Sequence, residues 1–333
     1  FAANVLVEPF QMATGAGKPY SVYTPFWNTL RKRDIERPLP RPRHGEAIRP
    51  GPVDTGYREP DWGRKIGGHW EIGEAAAHER LERFLEQLVT DYPEGRDIPA
   101  KAATSGLSPH LALGEISPRQ VWHAALAVAQ HEPAKASAID KFLSELGWRD
   151  FNYNQLYHRE EIASVPMVEK YAHLKWRHAD AALKAWQRGQ TGIPIIDAGM
   201  RELWETGVMH NRVRMLTASL LAKNLLIDWR KGEQWFWDTL VDADPANNPG
   251  NWQWVAGSGL DASPYFRIFN PVTQGERFDR GGDYVRRWVP EVAALPDKLV
   301  HQPWEAGGVA NYPEPIVDLK LSRERALEAF KAL

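Results

Sequence analysis

Between Glu74 and Thr90 the apolar residues Leu81, Phe84, Leu85 and Leu88 recur at steps of three and four, with charged residues between them. That period predicts an amphipathic helix. Ser108-Pro109 and Ser117-Pro118 each set a hydroxyl before a proline, the pattern of a capped helix start. Helical spacing continues over about 135–158, 179–188 and 197–206, and a last helix is predicted over 322–332. From Val208 to Arg230, the positions Val213, Met215, Leu216, Leu220, Leu221, Leu225, Leu226 and Ile227 leave little polar face. One central, nearly buried helix is predicted there. Only Asn4–Pro9 and Ser21–Trp27 read as strands, too few to carry a core. Residues 1–30 therefore read as the tail end of an α/β domain. Residues 31–68, crowded with Pro, Gly and Arg, read as a linker, and 69–333 as a helical domain. The fold class is mainly α.

Composition narrows the chemistry. None of the 333 residues is Cys, which excludes disulfides, thiolate nucleophiles and cysteine-held metal clusters. No run of apolar residues is long enough for a membrane span, and no secretory signal is present, so a cytoplasmic monomer is the expectation. The formal charge of −2 leaves binding of a polyanion to a local basic surface. The stretch 31–49, with seven Lys/Arg against three Asp/Glu, reads as a solvated linker that adds to such a surface at most. Fifteen Trp outnumber the eleven Phe and ten Tyr, and rings of that size are spent on binding, stacking or electron transfer as well as on packing.

Three motifs fail. Gly15-Ala16-Gly17-Lys18 lacks the first glycine and the Ser/Thr of a phosphate loop; Gly257-Ser258-Gly259-Leu260-Asp261-Ala262 has no strand before it or helix after it; and no H-E-x-x-H spacing occurs, so no metal site is assigned. Thr104-Ser105-Gly106-Leu107-Ser108 fares better, since hydroxyls and a glycine before a helix start suit an anion such as a pyrophosphate. Upstream stand Tyr92, Arg96 and Pro99.

This run resembles the flavin-phosphate segment of the photolyase/cryptochrome family. The likeness continues through Glu145-Leu146-Gly147-Trp148-Arg149-Asp150-Phe151, Thr191-Gly192-Ile193-Pro194, Met209-His210-Asn211-Arg212-Val213-Arg214-Met215, Asp228-Trp229-Arg230, Asp242-Ala243-Asp244-Pro245-Ala246-Asn247-Asn248 with Trp252 and Trp254, and Pro264-Tyr265-Phe266-Arg267. It covers roughly residues 70–305 and is most like class I members that repair cyclobutane pyrimidine dimers in DNA. The resemblance implies a helical domain holding FAD, reduced in its active state, and DNA containing pyrimidine dimers as partner.

By resemblance, Tyr92, Thr104, Ser105, Gly106, Leu107, Ser108, Arg149, Arg214, Asp242, Ala243, Asp244 and Asn248 bind the cofactor, with Asn248 facing flavin N5. Glu145, Trp148, Asn211, Met215 and Trp254 meet the lesion, while Arg96, Arg212 and Arg267 contact phosphate. Trp252, Trp229 and Trp176 form an electron path. The spacing adds its own content. Glu145, Trp148 and Arg149 share a helix face, and a carboxyl beside an apolar ring is expected to be proton-bearing. The resemblance places Arg214 near the flavin with Asp242 as its candidate partner, and a buried arginine would also demand such a carboxylate. Trp252 and Trp254 point to opposite sides if their segment is helical. His210, and Trp186, Trp204, Trp235 and Trp237, read as ordinary structural or core residues. Phe142 stands where some members carry Trp, and the antenna chromophore is unassigned. The competing readings are a cryptochrome-like blue-light receptor and a flavin-free nucleic-acid-binding module.

Overall fold

The computed structural model describes residues 4–40, 56, 58–262, 264–265 and 267–333. Residues 1–3 of the expected α/β remnant, 41–55 and 57 of the expected linker, and Ser263 and Phe266 lie outside the described residues. The described residues contain no strand, as a mainly α chain requires. Helices α1 (Tyr23–Leu30), α2 (Asp61–Gly67), α3 (Glu74–Arg83), α4 (Tyr92–Gly95), α5 (Ser108–Leu113), α6 (Pro118–His131) and α7 (Ala136–His158) form the first half. Its core closes on Leu6, Phe26, Leu30, Phe84, Val121 and Ile139. The second half runs through α8 (Asp180–Gln187), α9 (Pro194–Thr206), α10 (Asn211–Ser219), α11 (Trp229–Thr239), α12 (Asn247–Ala256), α13 (Pro271–Phe278), α14 (Asp283–Trp288) and α15 (Leu319–Lys331). Trp186, Ile196, Leu203, Val213, Leu221 and Trp229 fill its core.

Local chemistry explains the boundaries. The Ser117 hydroxyl accepts from Gln120 N, and the Gln120 side chain accepts from Ser117 N, a reciprocal cap that starts α6. Asp318 accepts from Lys320 N and Leu321 N, so the last helix starts at Leu319, ahead of the expected 322. Helix α7 joins the two halves: Asn152 Nδ2 donates to Asn247 Oδ1 at 2.9 Å, and Gly250 lets α12 approach, since a Cβ there would stand 2.6 Å from Asn152 Oδ1.

Five expectations are corrected. Ser21–Trp27 is not a strand: Tyr23, Phe26, Trp27 and Leu30 are buried at helical steps and make α1 part of the first core. Asn4–Pro9 is not a strand either. It is a strap whose backbone is held by side chains of α7: Asp150 Oδ1 accepts from Leu6 N at 2.7 Å, and Asn154 Nδ2 donates to Pro9 O at 3.1 Å. The helix predicted over 208–230 is broken. Helix α10 passes into a wider π turn at 220–224, Leu226 takes a left-handed φ of 51°, and Asp228 caps α11 by accepting from Arg230 N. Finally, the expected linker contains α2, and Trp204 and Trp237 are exposed rather than core, Trp204 stacking between Trp62 and Trp235.

Candidate functional site

Glu145 and Trp148 lie one turn apart on α7. Glu145 Oε1 accepts from Lys141 Nζ at 2.6 Å, one turn back, and from Arg96 Nη1, which follows α4. Burial pushes the Glu145 pKa up, but hydrogen bonds from Arg96 and Lys141 outweigh it and hold the carboxyl below the usual range. The expected proton-bearing carboxyl is thus corrected: Glu145 is an ionised acceptor between two cations. Trp148 stacks on Tyr23, 3.7 Å between ring centroids and 12° between planes. The α1 residue missed in the sequence therefore covers the ring expected to stack on a lesion. Gly147 makes room, since a Cβ there would stand 2.6 Å from Trp27 Cε3.

Arg149 is held by the strap and by α5. Its guanidinium donates to Asn4 O and to Leu111 O at 3.1 Å and lies 4.7 Å from the Tyr153 ring. The strap and α5 thus satisfy a buried arginine that was expected to lie towards the cofactor.

Around 104–108, Thr104 and Ser108 are exposed and Leu107 is buried in the first core. Ser105 Oγ accepts from Leu107 N at 3.3 Å, and Gly106 takes a φ of 64° that suits glycine. Helix α5 has six residues, so little dipole charge stands behind this turn. The nearby cation is Arg80 of α3, whose Nη1 would lie 3.0 Å from a Cβ at Gly106. No spacing rule pointed to Arg80, because on its own helix it is one charged position among several. Tyr92 is buried edge-on against Phe84 and Phe142, with Arg96 5.4 Å over its ring.

In the second half Arg214 Nη2 lies 2.9 Å from Asp242 Oδ2, the pairing that burial demanded, and its Nε donates to Met209 O. His210 caps α10: its Nδ1 accepts from Arg212 N, and burial lowers its pKa to about 4, so it is a neutral structural group at pH 7. Asn211 is exposed at the first turn and Met215 is half-buried on the second core. Arg212 pairs with Asp97 at 2.8 Å over the Phe278 ring. Both arginines singled out in the 90s and 210s therefore have internal carboxylates. Arg267 is exposed.

Asp244 accepts from Ala246 N, Asn247 N and Asn247 Nδ2, which sets the start of α12. Asn248 Nδ2 donates to Glu233 O and Oε1, so its donor end is engaged by α11. Ala243 and Trp254 are half-buried against the second core, whereas Trp252 is buried. Helix α12 thus separates the two tryptophans as their spacing required. Gly232, three residues after Trp229 on α11, abuts Trp252: a Cβ there would stand 2.2 Å from Cη2. The rings touching Trp252 are Phe236, at 5.0 Å, and Trp186, at 6.2 Å. Trp229 is buried and Trp176 half-buried.

Buried polar atoms without a partner are expensive, at about 1–3 kcal/mol each. Arg80 Nε, Asp242 Oδ1 and Trp252 Nε1 are among them here. A guanidinium beside a hydroxyl-bearing turn and a buried carboxylate oxygen are the donor and acceptor types that a flavin dinucleotide, with its phosphates and polar ring edge, would satisfy. The residues fit the cofactor. Among the described residues no group of three His, Asp or Glu could hold a metal, and no helix is long and apolar enough to cross a membrane.

Comparison with known proteins agrees. Residues 142–332 match the family described as the FAD binding domain of DNA photolyase. A deoxyribodipyrimidine photo-lyase of Agrobacterium fabrum is 49% identical over 351 residues, taking in 100% of this chain and 73% of the relative. Among solved structures, a bacterial class III photolyase from Agrobacterium tumefaciens matches with a TM-score of 0.92 at 48% identity, covering 99% of this chain and 72% of that one. Its class differs from the class I members that the sequence blocks resemble. A cryptochrome of Synechocystis sp. PCC6803 matches with a TM-score of 0.84 at 31% identity, over 98% of this chain and 71% of that one. With more than half of its residues inside the family match and near-complete alignment to relatives of this identity, the chain belongs to the DNA photolyase family.

Proposed function

We propose that this protein is a deoxyribodipyrimidine photo-lyase that uses FAD and light to split cyclobutane pyrimidine dimers in DNA. Beyond family membership, one observation carries the reading: Glu145 is held ionised by Arg96 and Lys141 one turn from Trp148. The three charges sum to +1. A dimer flipped out of the duplex would offer an N–H to the carboxylate, while the surrounding cations favour negative charge developing on the base. Trp148, Asn211, Met215 and Trp254 form the rest of the lesion wall in this reading, with Tyr23 yielding its stacking partner to the base. Arg96, Arg212 and Arg267 supply phosphate contacts, Arg212 exchanging Asp97 for DNA and Arg96 keeping its bond to Glu145.

Arg80, Thr104, Ser105, Ser108 and the backbone of Gly106 and Leu107 would hold the cofactor phosphates. Tyr92, Arg149, Arg214, Asp242, Ala243, Asp244 and Asn248 would frame the remainder. When bound and reduced, FAD would supply the light-driven electron-transfer chemistry that opens the dimer. Trp252, Trp229 and Trp176 carry electrons inward when the flavin starts oxidised, with Gly232 letting α11 lie against Trp252.

The test is blue-light repair of a dimer-containing oligonucleotide by flavin-loaded protein reduced beforehand. Wild type is expected to repair and Glu145→Ala to lose most of the yield per photon. Trp252→Phe, started oxidised, is expected to lose photoreduction yet to repair once reduced chemically. A well-loaded, reduced wild type that repairs nothing overturns the proposal in favour of a photoreceptor, the reading that the cryptochrome likeness supports.

A further inference from the structure

Lys223 is fully buried in the π turn that ends α10. Its ammonium makes one hydrogen bond, to the carbonyl oxygen of Arg267 at 2.9 Å, and lies 5.3 Å from the centre of the Tyr265 ring. Among the described residues no carboxylate stands within 4 Å of it. The charged group it feels is another cation, Arg267. The other groups facing this turn do not neutralise it. The Arg325 guanidinium of α15 donates to Asn224 O, Asn224 Nδ2 donates to Ser322 Oγ, and the Tyr265 hydroxyl is pushed up to about 12 by burial. A buried ammonium with one neutral acceptor is unfavourable by several kcal/mol in general, so something must favour its retention.

The last residue of α10 grips the loop at a second point, where Ser219 Oγ accepts from Phe269 N at 3.3 Å. The loop over 267–269 is therefore hung from α10 and its π turn by one hydroxyl and one ammonium. Helix α10 is also the element that carries Asn211 and Arg212 at its other end and Met215 at its middle.

We propose that Lys223 is a proton-linked positioning residue for DNA binding: its charged form holds the Arg267 loop in place, and it takes up a proton as DNA phosphate approaches that loop. The inference rests on the proposed phosphate role of Arg267. Its physical content is linkage. In free protein, burial and then Arg267 lower the Lys223 pKa to about 7. A phosphate offsets the Arg267 charge and favours the ammonium, so the pKa is higher in the complex. Affinity is then greatest below pH 7 and weakens as pH rises through the interval between the free and bound values. His210, titrating near pH 4, does not contribute in that window.

The experiment measures dissociation constants of flavin-loaded protein for a dimer-containing duplex in the dark, at fixed ionic strength, from pH 6.5 to 9. Wild type is expected to weaken at least threefold above pH 7, with a slope no steeper than about tenfold per pH unit for a single proton. Lys223→Arg should bind like wild type at pH 6.5 and stay flat; Lys223→Met should be flat and weak throughout. A merely structural lysine would shift affinity equally at every pH. Calorimetry of wild type in two buffers of different ionisation heat reads proton uptake directly and decides the matter if a variant fails to load flavin. A flat wild-type curve without proton uptake, or an unchanged pH slope in Lys223→Met, overturns the inference. Arg267→Ala separates the two readings. If it leaves the salt slope unchanged, the phosphate role of Arg267 fails; if it lowers the slope by about one unit while wild type shows no proton uptake, only the Lys223 inference fails.

Discussion

Two faces of α7 carry carboxylates five residues apart, and they sit in opposite states. Glu145 is partly open and lies between Arg96 and Lys141, which keep it ionised. Asp150 is buried against the strap, where its partners are the backbone N–H groups of Leu6 and Val7. Burial lifts its pKa to about 7, further than those hydrogen bonds, Arg149 and Arg119 can bring it down. Burial alone does not decide whether a carboxyl is charged; the partner does. A cation balances a whole charge, whereas two amides satisfy lone pairs and leave the charge in place. One face of the helix is thereby kept reactive and the other is used to fasten the chain.

The largest test of this contrast is a pair of alanine substitutions. Asp150→Ala strips two buried N–H groups of their acceptor and is expected to lower stability by about 2–4 kcal/mol, against less than about 1 kcal/mol for Glu145→Ala, whose ion pairs are partly exposed. Denaturant midpoints at a common m-value measure both. Equal losses would erase the distinction between the faces.

Next comes the fit of α7 against α1. Gly147→Ala drives a methyl to within 2.6 Å of the Trp27 ring and is expected to cost about 1–3 kcal/mol by overpacking. It should also disturb the Tyr23–Trp148 stack, so a thermal melt read beside near-ultraviolet circular dichroism checks both effects. An unaltered melt would mean that α1 can retreat.

The pH dependence of stability sharpens the comparison further. Asp150 has a folded pKa above its unfolded value near 4, so its contribution favours the folded state fully below about pH 4 and is lost as pH rises to about 7. Asp150→Asn should remove that decline from the stability curve. Persistence of the same slope in the mutant would assign it to another group.

The smallest effect concerns Glu145. Arg96→Gln removes the strongest of its partners and should move the Glu145 titration upward, with stability changed by less than about 1 kcal/mol. Repair yield would then fall with acid at a higher pH than in wild type. A yield profile that coincides with wild type would mean that Lys141 alone keeps Glu145 ionised.

Much of this was legible in the sequence. Steps of three and four marked most helices because one face of each is buried, and Ser117-Pro118 marked a start because capping is local. The Arg214–Asp242 pair came from the family resemblance and agreed with what the burial of a charge demands. The break after Leu225 was not legible, since a stretch that is apolar on every side carries no phase from which a change of direction can be read. Helix α1 is legible in the 3–4 spacing of Tyr23, Phe26, Trp27 and Leu30, although the β-branched and aromatic residues of the segment suit a strand equally well. Lys141 stood one turn from Glu145 in the sequence as well.

What the sequence by itself determined is the helical class, the flavin family and the set of side chains available to the site, because periodicity, caps and motif order are properties of neighbours along the chain. What only the tertiary structure decided is the state of those side chains. Arg96 reaches Glu145 from 49 residues away, Arg149 donates to Asn4 O and Leu111 O, and Arg267 meets a buried Lys223. Charge, protonation and orientation depend on distances of a few ångströms between groups far apart in sequence, since Coulomb and hydrogen-bond energies fall off with separation in space and not with separation along the chain.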